Sequence, residues 1–167
     1  MLSPETLDRA IRLIDLCRKE GRTVATVESC TGGLLSAALT AMPGSSDVFE
    51  RGYVTYSNQA KTDSVAVRKE QIDFSGAVSE EVAWAMAEGA QRKSGADIAV
   101  SITGVAGPGG GTDAKPVGLV HFASCRWDGK LTVYHEVFSG DREAVREAAV
   151  LQAMQMIEDA LFAAPGA

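Results

Sequence analysis

The chain has 167 residues, 46% hydrophobic and 23% charged, which is the composition of an ordinary globular protein and the length of one domain of ~100–200 residues. Sixteen Lys and Arg against 22 Asp and Glu leave a net charge of −6 and an isoelectric point near 4.9, which argues against a nucleic-acid partner and its basic face. Nothing approaches the ~18 apolar residues of a membrane span, so no membrane partner is expected.

The start, Met1-Leu2-Ser3-Pro4-Glu5, lacks the basic and apolar stretches of a secretory signal. Cys17, Cys30 and Cys125 form an odd set with no CxxC pair, as suits reduced thiols. Together these features point to a cytoplasmic protein. His121 and His135 have no cysteine or carboxylate at ligand spacing, so no metal site is expected, and a Ser-His-Asp triad has little to draw on.

Ser3 as N-cap and Pro4 at the first helical position open a helix over 4–20, with Leu7, Ala10, Ile11, Ile14 and Cys17 on one face and Gly21 ending it. Thr23 to Val27 is a β-branched strand. Thr31 to Met42 reads as a small helix stopped by Pro43-Gly44. Tyr53 to Tyr56 is a second strand, after which Ser57 caps a polar helix to about Val65. Ser79 caps another through about Lys93, with Glu80 and Glu81 complementing its dipole and Val82, Met86, Gly89 and Ala90 as its buried stripe.

Asp97 to Thr103 is apolar enough for the centre of a covered sheet. Residues 104–116 form a glycine-rich loop. Val117 to Cys125 and Lys130 to Phe138 then make a hairpin around Asp128-Gly129. A last helix spans 141–161, with Val150, Met154, Ile157 and Leu161 aligned, before a loose tail over 163–167. Helices and strands alternate early and a hairpin comes late. The expected fold is a single α/β domain over 1–167, a three-layer α/β/α sandwich with a mixed sheet.

Four segments could carry chemistry. Glu28-Ser29-Cys30-Thr31-Gly32-Gly33 joins a strand to a helix, where a helix N-terminus favours anions and developing oxyanions. The same pattern would also serve as a plain cap with close packing. The nucleophile elbow GxSxG is absent. In Tyr56-Ser57-Asn58-Gln59-Ala60-Lys61, a desolvated Lys61 could act as base for a serine, or it could be a solvated lysine on a polar face. Tyr56 and Lys61 miss the Tyr-x-x-x-Lys spacing of short-chain dehydrogenases by one residue, and no GxGxxG follows the first strand.

Five glycines between Gly104 and Thr112 could wrap a phosphate or ribose with backbone amides, or simply connect, and no Walker A ending is present. Arg142 opens the last helix, where a cation opposes the dipole. It binds either an anion of the substrate or a neighbouring carboxylate such as Asp141 or Glu143. His121 and His135 read as packed or surface strand residues, and Cys30 as a packed thiol with a competing nucleophile as the alternative.

These segments together resemble the C-terminal domain of the CinA family, from about Leu7 to Leu161. The resemblance rests on Glu28–Gly33 (ESCTGG), Phe49–Lys61 (FERGYVTYSNQAK), Gly76–Glu80 (GAVSE), Ser101–Gly111 (SITGVAGPGGG), Lys115–Gly118 (KPVG) and Phe138–Arg142 (FSGDR). Stand-alone members of that family deamidate nicotinamide mononucleotide. The resemblance therefore implies an amidohydrolase of pyridine-nucleotide salvage that acts on a small-molecule nucleotide without metal or organic cofactor and self-associates into a homo-oligomer.

By the same resemblance Ser29 is the nucleophile, Lys61 the base and Tyr56 a hydrogen-bonding support of that pair. Thr31, Gly32 and Gly33 hold an oxyanion or phosphate, Thr103, Gly104, Ala106 and Gly107 line the facing wall, and Arg142 meets the phosphate. Many family members carry a further N-terminal pyrophosphatase domain. That activity is not expected here, because only about 25 residues precede the first motif. A nucleotide-binding regulatory module without turnover, and an amidase for a related amide, are the alternatives.

Overall fold

The computed structural model describes residues 2–165. Helix α1 (Pro4–Lys19) leads into β1 (Val24–Glu28), α2 (Leu34–Thr40), a single 3-10 turn at 45–47 and β2 (Phe49–Val54). Helices α3 (Asn58–Val65), α4 (Lys69–Ser75) and α5 (Glu80–Ser94) come next, then β3 (Ile98–Gly104), β4 (Leu119–Arg126), β5 (Leu131–Val137) and α6 (Arg142–Phe162).

The strands form one sheet in the order β2-β1-β3-β4-β5, parallel across β2-β1-β3 and antiparallel across β3-β4-β5. Helices α1, α2 and α6 cover one face, their Ile14, Leu35, Met154 and Ile157 closing over Val100, Ile102 and Phe122. On the other face α3, α4 and α5 bring Val65, Ile72 and Met86 onto Ala25, Val27 and Ala99. The α/β/α sandwich with a mixed sheet is therefore the observed fold. None of its described helices is long and apolar enough to cross a membrane.

Ser3, Ser57 and Ser79 each accept a hydrogen bond from an amide of the first turn they cap, as expected of those serines. Four features differ from the sequence reading. The buried face of α1 is turned toward Thr6 and Leu13, leaving Leu7 and Ile11 half-buried, because the Thr6 hydroxyl donates to Glu147 at 2.7 Å on α6. Helix α2 begins at Leu34 rather than Thr31, since Gly32 and Gly33 take left-handed backbone angles (φ 57° and 97°) that make a turn instead.

Strand β2 starts at Phe49, four residues early, as an exposed edge strand whose polar residues hide its period. Helix α4 is missing from the sequence reading because only Ile72 of its seven residues is buried. Of the expected 163–167 tail, 166–167 lie outside the described residues, as does Met1.

The parallel strands β2, β1 and β3 end side by side, with Glu28 in register with both Val54 and Ile102. From β1 the chain turns to β2 through α2 on one face and returns to β3 through α3–α5 on the other. That divergence opens a crevice at the carboxyl end of β1.

Candidate active site

Ser29 follows the last residue of β1, and its amide donates to the Ile102 carbonyl at 2.9 Å, which ties the turn to β3. Lys61 projects from the first turn of α3 into the same place. Its Nζ donates to the Thr55 carbonyl at 2.9 Å and lies 3.1 Å from the Ser29 Oγ. Only 1% of Lys61 is exposed, and among the described residues it forms no ion pair. Burial without a counter-charge disfavours the ammonium and pushes the Lys61 pKa below the usual lysine value. A solvated lysine on a polar face is excluded by this burial.

Around the pair is a cleft of about 300 Å³, the size range of a small-ligand site. Ser29, Cys30 and Lys61 lie at its floor. Thr103, Gly104, Ala106 and Gly107 face them, joined by Gly109 and Gly110. The Thr103 hydroxyl is spent on the Ala77 carbonyl at 2.8 Å, so it holds the 77–78 segment against β3. Cys30 is buried beside the serine, and desolvation pushes its thiol up to about 11, which keeps it protonated at neutral pH.

Arg142 stands at the rim. It donates to the Gly107 carbonyl at 2.7 Å and to the Tyr56 hydroxyl at 3.1 Å. Another hollow of about 380 Å³ lies on the far side of Arg142, lined by Leu2, Leu34 and charged residues of α6. It holds neither Ser29 nor Lys61.

Three expected placements are corrected by this geometry. Tyr56 is 61% exposed, and its hydroxyl bonds Arg142 instead of supporting the Ser29–Lys61 pair, a support that comes from the Thr55 carbonyl. Thr31, Gly32 and Gly33 do not line the cleft. Thr31 is fully buried with its carbonyl accepting from Arg146 at 3.0 Å, while the two glycines only turn the chain into α2. The amides at the start of α2 are not open to a ligand either, because Leu35 and Ser36 donate to the buried carboxyl group of Glu28 at 2.9 and 3.0 Å.

The sequence reading missed Asn58, Ala77 and Val78 as cleft residues, although all three sit inside motifs already noted, SNQAK and GAVSE. His121 and His135 pair with each other across β4 and β5, with ring centroids 5.2 Å apart, and are not part of the cleft. No group of three His, Cys, Asp or Glu that could hold a metal ion occurs among the described residues.

The family model of the CinA C-terminal domain matches residues 7–161. The nicotinamide-nucleotide amidohydrolase PncC of Escherichia coli K12 is 46% identical over 157 residues, covering 94% of this chain and 95% of that protein. A CinA-like protein of Mycolicibacterium gilvum is 53% identical over 141 residues, 84% of this chain but 33% of that longer protein. Among solved structures, the competence/damage-inducible protein CihA of Agrobacterium tumefaciens superposes with a TM-score of 0.92 at 42% identity, covering 95% of this chain and 96% of that one.

Proposed function

The chain belongs to the CinA C-terminal domain family, and from that premise we propose that it hydrolyses the carboxamide of nicotinamide mononucleotide, giving nicotinate mononucleotide and ammonia. Near-full-length similarity to the nicotinamide-nucleotide amidohydrolases supports the reaction and the substrate. One observation carries the mechanism: a fully buried lysine with no ion pair among the described residues, 3.1 Å from a serine hydroxyl at the floor of a cleft.

An amide is a poor electrophile, so three elements are needed: an activated hydroxyl, stabilisation of the oxyanion, and an acid for the leaving nitrogen. Neutral Lys61, its N–H held by the Thr55 carbonyl, takes the proton from Ser29 as Oγ attacks the carboxamide carbon. The Cys30 amide, next in the chain to Ser29 and bonded to no carbonyl or carboxylate among the described residues, is assigned as the donor to the oxyanion. The ammonium of Lys61 then gives its proton to the departing nitrogen, and ammonia leaves an acyl ester on Ser29.

Water attacks that ester with Lys61 again as base. The carboxylate product departs and Ser29 regains its proton. Arg142 at the rim receives the phosphate, and the glycine-rich wall at Gly104–Gly110 approaches the ribose closely. The mechanism routes no step through a metal or an organic cofactor.

The same reading takes the chain as a single-domain enzyme of the cytoplasm, with a small molecule rather than nucleic acid as its partner and self-association into a homo-oligomer. Its three cysteines are free and buried, and its net charge is −6.

Ammonia release from nicotinamide mononucleotide tests the proposal, run beside Ser29→Ala and with a chelator present. Release that ends with the substitution and ignores the chelator is expected. Binding of the mononucleotide without release would instead make the chain a regulatory module, and neither binding nor release would overturn the substrate.

A further inference from the structure

The motif Glu28–Gly33 contains a carboxylic acid that the mechanism above does not use. Glu28 is fully buried, directly before the nucleophile, and among the described residues it forms no ion pair. Its Oε1 accepts from the Leu35 amide at 2.9 Å, and its Oε2 accepts from the Ser36 amide at 3.0 Å and the Ser36 hydroxyl at 2.7 Å.

With its O–H directed at Glu28, the Ser36 hydroxyl oxygen accepts from the Thr26 hydroxyl, 2.7 Å away on β1. Gly52 of β2 makes room for this arrangement, since a Cβ there would stand 2.6 Å from the Ser36 Oγ and 3.2 Å from the Thr26 Oγ1. The N-cap position of α2 is Gly33, which has no side chain to bond the first amides. The Glu28 carboxyl group supplies that cap from the other end of the 29–33 turn.

We propose that Glu28 is a positioning residue for the nucleophile: by bonding the first turn of α2 across the 29–33 turn, it fixes where Ser29 presents its hydroxyl to Lys61. Both ends of the turn are then held. The Glu28 carbonyl accepts from the Thr55 amide at 2.8 Å and the Ser29 amide donates to Ile102, while the carboxyl group holds the start of α2. Thr55 links the two catalytic sides, because its amide meets Glu28 and its carbonyl meets Lys61. This inference rests on Ser29 being the nucleophile.

Glu28→Gln keeps the shape and replaces one acceptor oxygen by an NH₂ group, which faces an amide donor it cannot bond. The test measures the rate at which a fluorophosphonate probe labels Ser29, with Ser29→Ala as the blank, beside the kinetics of ammonia release and the thermal unfolding of each variant. Glu28→Gln is expected to slow labelling and kcat by about 10–100-fold, the effect of a misplaced reacting atom. KM should stay within about threefold and the acid limb of the pH profile in place, because Glu28 bonds neither Arg142 nor Lys61.

Ser36→Ala removes one of the three donors and Gly52→Ala displaces the same hydroxyl. Both should give smaller losses in the same direction, and they decide the matter if Glu28→Gln does not fold. Folded variants labelled at the native rate would overturn the inference alone. A native protein that the probe does not label at Ser29 would overturn the serine mechanism, and the inference with it.

Discussion

The floor and the rim of the cleft are built on opposite principles. At the floor, Ser29 and Lys61 are 9% and 1% exposed, and among the described residues the lysine is held only by neutral oxygens. At the rim, Tyr56 is 61% exposed and bonds an arginine whose other bond is to a backbone carbonyl. Burial without a counter-charge favours the neutral amine, which can accept a proton, whereas a guanidinium bonded to neutral acceptors at a rim is open to an anion. On the proposed mechanism this difference separates chemistry from recognition, so changes at the floor should act on kcat and changes at the rim on KM.

Lys61→Met tests the floor hardest. It fills the same volume without a base and should lower kcat by about 10²–10⁴-fold, the range for a lost general base, with KM little changed. In the native protein only neutral Lys61 acts, so kcat should rise with pH along a limb set below the ordinary lysine range, as the depressed pKa requires. A limb near ~10.4 would mean that burial does not tune this amine.

Stability runs the other way. The unfolded chain protonates Lys61 at ~10.4 while the folded chain resists, so the cost of the buried amine grows as pH falls below that value and levels off below the folded pKa. Lys61→Met should therefore raise Tm at neutral pH by about 2–4 °C, the shift that ~1 kcal/mol gives a chain of this size, and the gain should vanish above ~10.4. A lower Tm in calorimetry would break the contrast between floor and rim.

Arg142→Ala examines the rim. Loss of a charged hydrogen bond to phosphate costs about 1.5–3 kcal/mol, or roughly 10–100-fold in KM, with kcat near the native value. The nicotinamide riboside, which lacks the phosphate, should be turned over equally by native protein and variant. A fall in kcat with the riboside would place Arg142 in the chemistry and erase the distinction.

Legibility in the sequence followed burial. Strands β1 and β3 are legible because both faces are covered and most of their residues are apolar or β-branched. Of edge strand β2 only Tyr53 and Val54 are legible, and helix α4 is not legible at all, since exposed positions leave no period to read. Ser29 and Lys61 could be named from motif and residue type, but their approach across 32 residues depends on how β1 and β2 end side by side.

The helix N-terminus is illegible in the sequence for a related reason. Sequence shows a glycine turn before a helix, whereas the carboxyl group that occupies its first amides, Glu28, lies on the preceding strand and reaches back in space. The resemblance puts Tyr56 beside Ser29 and Lys61, whereas its hydroxyl meets Arg142, 86 residues away, a contact that no spacing in the sequence reveals.

Tyr56→Phe gives the smallest expected effect and the finest discrimination. Its hydroxyl touches only Arg142 among the described hydrogen bonds, and the ring is at the mouth of the cleft. Removing the hydroxyl frees one side of the guanidinium without removing charge, so Arg142 loses alignment rather than function. A hydrogen bond of this kind contributes about 0.5–1.5 kcal/mol, which corresponds to a two- to tenfold rise in KM for the mononucleotide. If Tyr56 acts through Arg142, then Tyr56→Phe in an Arg142→Ala background should add nothing to KM, because the partner it aligned is gone. If it instead donates to the reacting groups, kcat should fall in both backgrounds by the same factor. Steady-state kinetics on the four proteins of that cycle separates the two, and an undiminished loss of kcat would return Tyr56 to the floor.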